Sequence, residues 1–313
     1  MDENKVEQSM GVTVQSLLQR TEEQSWPQAC LYVVATPIGN LTDMSLRAWQ
    51  ALRRCDVIAA EDTRSTRPLL QAWGVDTPLM AAHRHNEEQA AQQIVAKLEA
   101  GQRVALVSDA GAPAVSDPGS RIVRKVREAG FRVLPLPGPS AVITALMATG
   151  VTTDENPAFA FAGFVPSKSM ARRKWLQQWE RFDGPVLMFE GPHRLRATLL
   201  DMLEVYGPDK QVSVARELTK RFEQVHTLAL GEVEAWLDSD SHHEQGEFVL
   251  VVHATVQVAA QAETDIDEVT QQWMRVLLTQ LSVKDVVKLA GQASSYKRDA
   301  LYECALQLKE QSH

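Results

Sequence analysis

The chain has 313 residues, of which 44% are hydrophobic and 23% charged, a length and composition that suit a soluble protein of two domains with a small third one. Its three cysteines lie far apart, which excludes a disulfide framework and the usual zinc-ligand spacings, and no apolar run approaches the roughly 20 residues of a membrane span. The net charge of −8 alone argues against nucleic acid, but residues 166–225 hold eleven Lys and Arg against eight Asp and Glu, a local excess that suits RNA.

The first part of the chain alternates short apolar runs with helical patterns. Residues 1–28 are polar without a sustained period, which predicts a poorly ordered tail. Strands are then predicted at 31–35, 57–60, 103–107 and 131–136. Helices are predicted at 43–53, 65–73, 87–100, 120–129 and 140–149. This alternation predicts an α/β domain over 29–150 with a mostly parallel sheet covered on both faces.

A second α/β domain is predicted over 151–256, where the strands follow one another more closely. Its strands are predicted at 159–163, 186–189, 212–215, 222–228 and 248–252, and its helices at 169–181, 194–206 and 231–237. The close spacing favours antiparallel pairs and therefore a mixed sheet. After an aperiodic linker at 255–264, residues 265–313 carry three amphipathic helices, which predict a small C-terminal helix-turn-helix unit.

The most informative motif is Ser-Asp-Ala-Gly-Ala-Pro-Ala-Val-Ser-Asp-Pro-Gly at 108–119, between a predicted strand and a predicted helix. In open α/β sheets, ligands bind at such strand ends. Glycines admit a ligand close to the main chain and prolines fix the loop. The loop has no evident nucleophile or set of metal ligands. It therefore predicts a ligand cradle, in which Asp109 and Asp117 are structural caps or loop braces.

Six further motifs mark other strand ends or strand entries. Each has a simpler interpretation as a tight turn, a helix cap, a solvated loop or an ion pair. Neither the dinucleotide-binding glycine pattern nor a phosphate loop is present. The motifs are Thr-Pro-Ile-Gly-Asn at 36–40, Glu-Asp-Thr-Arg at 61–64, Pro-Gly-Pro-Ser-Ala at 137–141, Glu-Gly-Pro-His-Arg at 190–194, Arg-Glu-Leu-Thr-Lys at 216–220 and Gly-Glu-Phe-Val at 246–249.

Taken in order, the seven motifs resemble the tetrapyrrole methylase superfamily and, within it, the bacterial 16S rRNA cytidine 2′-O-methyltransferases of the RsmI type. The resemblance covers about residues 30–310, and Ala112 departs from it because Thr is common there. It implies a two-domain fold with S-adenosylmethionine in the cleft between the α/β domains, and no metal. The cofactor-binding residues that it implies are Pro37, Ala110, Gly111, Ala112, Val115, Ser140, Ala141, Glu190 and Leu218.

The reaction implied by the resemblance is methyl transfer to a ribose 2′-hydroxyl of a cytidine in 16S rRNA. A general base would assist this poor nucleophile, and four candidates stay open: Asp62, Glu190, Glu217 and Lys220. Candidates for contacts with RNA phosphate or ribose are Arg64, Arg67, Lys168, Arg172, Arg173, His193, Arg194, Lys220 and Arg221. A surface ion pair explains any single arginine equally well. Trp175 and Trp179 could stack a base, but a core or dimer contact is favoured.

The partners expected from the resemblance are the small ribosomal subunit and a second copy of the chain. The acidic N-terminal stretch lacks the apolar core of a signal peptide, so a cytoplasmic location without membrane contact is expected. Two other functions stay open. One is a methyltransferase of the same fold that acts on a tetrapyrrole. The other is a non-catalytic RNA-binding protein, against which the intact cofactor motifs argue.

Overall fold

A computed structural model of the chain describes residues 3–254, 266–294 and 296–310, so the predicted linker at 255–264 lies outside the described residues. The chain divides into two units, Met1–Ala254 and Thr255–His313. Both predicted α/β domains fall within the first unit. Their separation near residue 150 therefore stays a prediction.

The first sheet has five parallel strands in the order β3-β2-β4-β1-β5. The strands are β1 Cys30–Val34, β2 Val57–Ala60, β3 Leu79–Ala81, β4 Arg103–Val107 and β5 Arg132–Leu136. Every residue of β2 is buried, as in a strand covered on both faces. The chain runs from β1 outward to β3, returns to β4 beside β1, and then crosses to β5 on the other side of β1. A ligand site is therefore expected at the carboxyl ends of β1 and of its neighbours β4 and β5.

Helices cover both faces of this sheet, as predicted. They are α2 Leu46–Arg54, α3 Thr63–Ala72, α4 Glu87–Glu99 and α5 Ser120–Glu128. Two more helices lie elsewhere: α1 Glu3–Glu22 contacts α2, and α6 Ala141–Thr149 packs against the second sheet. On one face, Leu52 of α2 and Leu70 of α3 belong to the same buried cluster as Ile58. On the other face, Ile94 of α4 and Ile122 of α5 form the second cluster.

The helix α1 differs from the poorly ordered tail expected over 1–28. Its last turn is held by contacts that a sequence pattern does not reveal. Thr21 is buried, and its carbonyl oxygen accepts a hydrogen bond from the Trp26 indole at 3.0 Å. The Arg54 guanidinium of α2 donates to the Glu22 carbonyl oxygen at 3.2 Å. These contacts tie the end of α1 to the first core.

The second sheet is mixed, which confirms the expectation from strand spacing. Its strands are β6 Ala160–Phe164, β7 Val186–Glu190, β8 Gln211–Arg216, β9 Gln224–Ala229 and β10 Phe248–Val252, in the order β6-β7-β10-β8-β9. The pair β6–β7 is parallel, and the other pairs are antiparallel. The associated helices are α7 Ser169–Trp179, α8 Leu195–Tyr206 and α9 Val233–Ser239. Leu176, Leu199 and Leu237 bury one face of the sheet.

The described part of the second unit contains three helices, as predicted: α10 Glu268–Leu278, α11 Val283–Ala293 and α12 Arg298–Glu310. The side chains of Asp267 and Ser282 cap the N-termini of α10 and α11. Met274, Val286 and Leu301 are buried in a common core, which gives this small unit an apolar centre of its own.

Candidate functional site

The ends of both sheets in the first unit border one cavity of about 500 Å³. The first sheet contributes the loops that follow β1, β2, β4 and β5, and the second contributes the ends of β6, β7 and β8 and the start of β10. This volume lies within the range of small-molecule sites. The cavity therefore stands at the strand ends that the topology indicates.

Eight of the nine residues predicted to bind the cofactor line this cavity. They are Ala110, Gly111, Ala112, Val115, Ser140, Ala141, Glu190 and Leu218. Pro37 is the exception, and its neighbour Ile38 lines the cavity instead. Motifs separated by more than a hundred residues in the sequence thus meet at one place.

Small residues keep the main chain close to the cavity. Gly111 has a φ of +77°, and a Cβ there would lie 3.3 Å from Cγ2 of Ile38. Gly138 lies so close to the end of β1 that a Cβ there would be 2.9 Å from the Cβ of Ala35. Ser140 begins α6 without a capping hydrogen bond from its side chain. The loops after β4 and β5 therefore present backbone and small side chains to a ligand.

Glu190, at the end of β7, is a buried carboxylate with several donors. Its Oε1 accepts hydrogen bonds from the Gly191 amide at 2.7 Å and from the Arg194 guanidinium at 2.8 Å. Its Oε2 accepts from the Thr198 hydroxyl at 2.6 Å. Both oxygens are engaged, so Glu190 is held in one orientation against the cavity.

Lys220 lines the cavity as a paired cation. Its Nζ lies 2.9 Å from Oε1 of Glu217 and 2.7 Å from Oε2 of Glu247. Partial burial opposes the charged form, but the hydrogen bonds to Glu247 and Glu217 outweigh it and raise the pKa of Lys220. Burial likewise acts against the charge of Glu217, but the Lys220 hydrogen bond outweighs it and lowers the pKa of Glu217. Neither group is a good proton acceptor in this state.

The Glu-Asp-Thr-Arg motif places its two carboxylates differently. Asp62 caps α3, and a hydrogen bond from Arg64 lowers the pKa of Asp62 to about 2. Glu61 lines the cavity, whereas Asp62 is not among the lining residues. Asp62, the predicted candidate, is thus the helix cap, and the cavity is lined by Glu61, which was not a candidate. A sequence pattern does not show which of two neighbouring carboxylates caps a helix.

Glu61 shares its edge of the cavity with two further carboxylates, Asp109 and Asp117. Burial raises the pKa of Glu61, and the negative charges of Asp117 and Asp109 raise it further. Burial and the charge of Asp109 also raise the pKa of Asp117, while Arg84 acts in the opposite direction on both. Asp109 is a brace, as predicted, because it accepts from the Ser65 hydroxyl at 2.5 Å. The raised pKa values make Glu61 and Asp117 better proton acceptors than ordinary carboxylates.

The family of the chain follows from its match to known sequences. The family model of tetrapyrrole (corrin/porphyrin) methylases matches residues 30–234, and the model of the RsmI C-terminal helix-turn-helix domain matches residues 263–309. The chain belongs to the tetrapyrrole methylase family. It is a methyltransferase, as the motifs predicted, and its C-terminal helices lie, up to residue 309, within the region that matches the RsmI C-terminal domain.

Curated relatives of this methyltransferase match almost its whole length. The protein named ribosomal RNA small subunit methyltransferase I of Neisseria meningitidis serogroup B is 45% identical over 279 residues, which cover 89% of this chain and 94% of the relative. The protein of the same name from Escherichia coli O157:H7 is 44% identical, with 90% of this chain and 96% of the relative covered.

Solved structures support the fold of the methyltransferase. Diphthine synthase superposes with a TM-score of 0.55 at 15% identity, covering 72% of this chain and 90% of that one. The cobalamin biosynthetic enzyme cobalt precorrin-4 methyltransferase superposes with a TM-score of 0.53 at 13% identity, covering 72% and 95%. At these identities the likeness shows the fold alone, and it confirms the predicted fold class.

The predicted RNA contacts of the methyltransferase fall into two groups. In the first group the side chains are exposed, and its members are Arg64, Arg67, Lys168, His193 and Arg221. Partly buried and ion-paired side chains belong to Arg173, Arg194 and Lys220.

Arg172 is the exception among the predicted RNA contacts, because it lies in the interior of the protein. Its side chain is 4% exposed, and its guanidinium lies 2.6 Å from the buried Asp201 carboxylate. It braces α7 against α8 and cannot reach an RNA phosphate. Trp175 and Trp179 pack against the core of the second sheet, as favoured from the sequence.

Two further observations concern only the part of the chain that the structure describes. No helix in that part is long and apolar enough to cross a membrane. Nor does that part contain a group of three or more His, Cys, Asp or Glu side chains arranged to hold a metal ion.

Proposed function

We propose that this methyltransferase uses S-adenosylmethionine to methylate the ribose 2′-hydroxyl of a cytidine in 16S rRNA of the small ribosomal subunit. The observation that carries the proposal is the cavity in which eight predicted cofactor residues meet. The names of the relatives support small-subunit rRNA as the substrate. The assignment of the 2′-hydroxyl of a cytidine as the methylated group depends on the resemblance of the seven motifs to the family.

The residues of the cavity fit S-adenosylmethionine. The left-handed Gly111 and the small Ala110 and Ala112 leave room for an adenosyl group beside the main chain. Apolar walls from Ile38 and Leu218 suit the parts of the ligand that carry no charge. When bound, the cofactor supplies an activated methyl group on a sulfonium. The chain itself mainly provides orientation, since a displacement needs its reacting atoms in line.

We infer that Glu61 or Asp117 accepts the proton of the substrate hydroxyl. Both carboxylates line the cavity, and their pKa values are raised, which makes them better bases than ordinary carboxylates. The other candidates are less suited. Asp62 lies outside the lining, and Glu217 and Lys220 neutralise each other. Glu190 has both oxygens engaged.

Homodimerisation and a cytoplasmic location also belong to this proposal. Both rest on the resemblance to the family. Sedimentation of the purified chain at micromolar concentration tests the first, and a single monomeric species would contradict it.

The decisive experiment is methylation of small subunits that lack the modification, with radiolabelled S-adenosylmethionine. Methylation of a 2′-hydroxyl blocks alkaline cleavage at that nucleotide, so the label is expected in an alkali-resistant dinucleotide that contains cytidine. Label on a base, or no label in RNA together with transfer to a precorrin-like compound, would overturn the proposal. Failure to bind S-adenosylmethionine in calorimetry would favour a non-catalytic RNA-binding protein.

A further inference from the structure

Phe164 is a large aromatic side chain left open at the cavity. It ends β6, lines the cavity and is 59% exposed. Its ring lies edge-on to that of Phe189, with centroids 5.3 Å apart and planes at 69°. Phe189 lines the cavity as well, and the centroid of its ring lies 4.8 Å from that of Phe161. The ring of Phe164 is thus supported from behind while much of its surface stays accessible.

A bulge in β6 directs Phe164 to this position. Phe161 pairs with Leu187 and Phe164 with Phe189, so three steps along β6 match two steps along β7. Residues three apart in a regular strand point to opposite faces. The extra residue lies between Phe161 and Phe164, a stretch that includes Gly163 with a φ of +82°, and the bulge brings both phenylalanines against Phe189. Bulges of this kind re-aim side chains next to active sites.

The surroundings of Phe164 suit a planar, partly polar ligand. Val115, from the loop after β4, lines the same cavity and is 61% exposed, so it adds a second accessible apolar surface. Arg194 also lines the cavity and offers hydrogen-bond donors beside its pair with Glu190. Aromatic rings bind nucleobases by stacking, and proteins that recognise single-stranded RNA use them in this way.

We propose that Phe164 is the platform on which the nucleobase of the methylated nucleotide stacks. This rests on the proposed function, since it names how the same site holds its RNA substrate. To present its ribose to an enclosed site, the nucleotide leaves the stack of its neighbours. An aromatic surface at the cavity then replaces part of the lost stacking. Phe164 is thus a positioning residue for the substrate.

A matched pair of substitutions tests the proposal. Phe164→Leu removes the ring and keeps an apolar side chain. Phe222→Leu changes a phenylalanine that is 63% exposed but is not among the cavity-lining residues. The measurements are the KM for unmodified small subunits, the Kd for S-adenosylmethionine by calorimetry, the melting temperature and the sedimentation coefficient.

Phe164→Leu is expected to raise the KM for subunits by about 10- to 100-fold, the usual effect of removing a stacking partner. The Kd for S-adenosylmethionine and the melting temperature should stay as in the wild type. Phe164→Trp should restore the KM, and Phe222→Leu should leave it unchanged.

Three outcomes would overturn the inference. In the first, Phe164→Leu has the wild-type KM. In the second, it loses affinity for S-adenosylmethionine, so the ring is a wall of the cofactor site. In the third, it changes the sedimentation coefficient, so the ring lies in a contact between copies. If the wild-type protein methylates no RNA at all, the proposed function itself has failed, which is a distinguishable result.

Discussion

Thr36 and Gly111 exchange two backbone hydrogen bonds, one of 2.9 Å from the Thr36 amide and one of 3.0 Å from the Gly111 amide. They form an isolated antiparallel bridge between the end of β1 and the loop after β4. The bridge holds the loop beside the point where the chain crosses from one side of β1 to the other. Gly111 takes part in this bridge with a φ of +77°, a left-handed conformation that favours glycine.

Substituting Gly111 by Ala is expected to weaken S-adenosylmethionine binding by about tenfold or more. The new Cβ would lie 3.3 Å from Cγ2 of Ile38, and both residues line the cavity. The left-handed backbone adds about 1 kcal/mol of destabilisation. Gly101→Ala is the matched control, because Gly101 has a φ of +79° but nothing within 4 Å of its Cβ position. Both variants should lose similar stability in thermal melts. Equal cofactor affinity of the two variants in calorimetry would contradict a cradle at Gly111.

Substituting Glu61 by Gln is expected to stabilise the fold near neutral pH while slowing methyl transfer by about 10²- to 10⁴-fold if Glu61 accepts the proton. Burial, with Asp117 and Asp109, raises the pKa of Glu61 in the folded state. Its stabilising contribution is therefore complete below the unfolded pKa of about 4.3 and is lost as the pH rises through the folded value. Gln stays neutral, so the gain in melting temperature should vanish below about pH 4.

Asp62→Asn is the control for Glu61→Gln. The pKa of Asp62 is shifted in the opposite direction, so the expected change in stability has the opposite sign. The Arg64 hydrogen bond lowers the pKa of Asp62 to about 2. The contribution of Asp62 is thus present above its unfolded pKa and is lost as the pH falls through the folded value. Asp62→Asn should destabilise the protein at neutral pH and leave catalysis nearly intact. If Glu61→Gln kept the full rate and Asp117→Asn did not, the proton acceptor would be Asp117.

Substitutions of Arg172 and Lys168 should have different effects, the first on the stability of the fold and the second on RNA binding. Arg172→Met leaves the buried Asp201 with fewer donors and is expected to destabilise the protein by about 3 kcal/mol in urea unfolding. Lys168→Met changes an exposed side chain, so its effect on stability should stay within about 0.5 kcal/mol. If Lys168 contacts a phosphate, its loss should reduce the slope of log affinity against log salt by about one. Unchanged salt dependence would remove Lys168 from the RNA surface.

The fold was largely predictable because its elements are locally encoded. The strands of the first sheet are short apolar runs, and β4 was predicted with the bounds Arg103–Val107 that the structure has. The strand β3 was missed, since it has only three residues and none of them is buried. The helix α1 was missed because its last turn depends on contacts with Trp26 and Arg54. Contacts of single side chains with backbone carbonyls leave no periodic pattern in the sequence.

The candidate site was predictable where it depends on backbone and less so where it depends on side-chain direction. Glycine and proline mark the cradle at 108–119 because they restrict backbone conformation. Nothing in the pattern distinguishes Glu61 from Asp62. The position of Phe164 at the cavity could not be predicted, because a bulge rather than strand alternation decides where its ring points. The prediction of Arg172 as an RNA contact is wrong because its partner Asp201 lies on another helix, which the sequence around Arg172 does not show.

Substituting Thr198 by Val should test whether the orientation of Glu190 matters for the cofactor. The Thr198 hydroxyl is fully buried and donates to Oε2 of Glu190 at 2.6 Å. Its loss leaves a buried carboxylate oxygen without this donor, which is expected to cost about 2 kcal/mol. Thr149→Val is the control, because the Thr149 hydroxyl donates to the Ala145 and Leu146 carbonyls of its own helix and to no carboxylate, and its loss should cost less than about 1 kcal/mol. Thr198→Val alone should also weaken S-adenosylmethionine binding in calorimetry. Equal losses of stability in the two variants, with wild-type cofactor affinity, would show that the Thr198 hydrogen bond does not position Glu190 for the ligand.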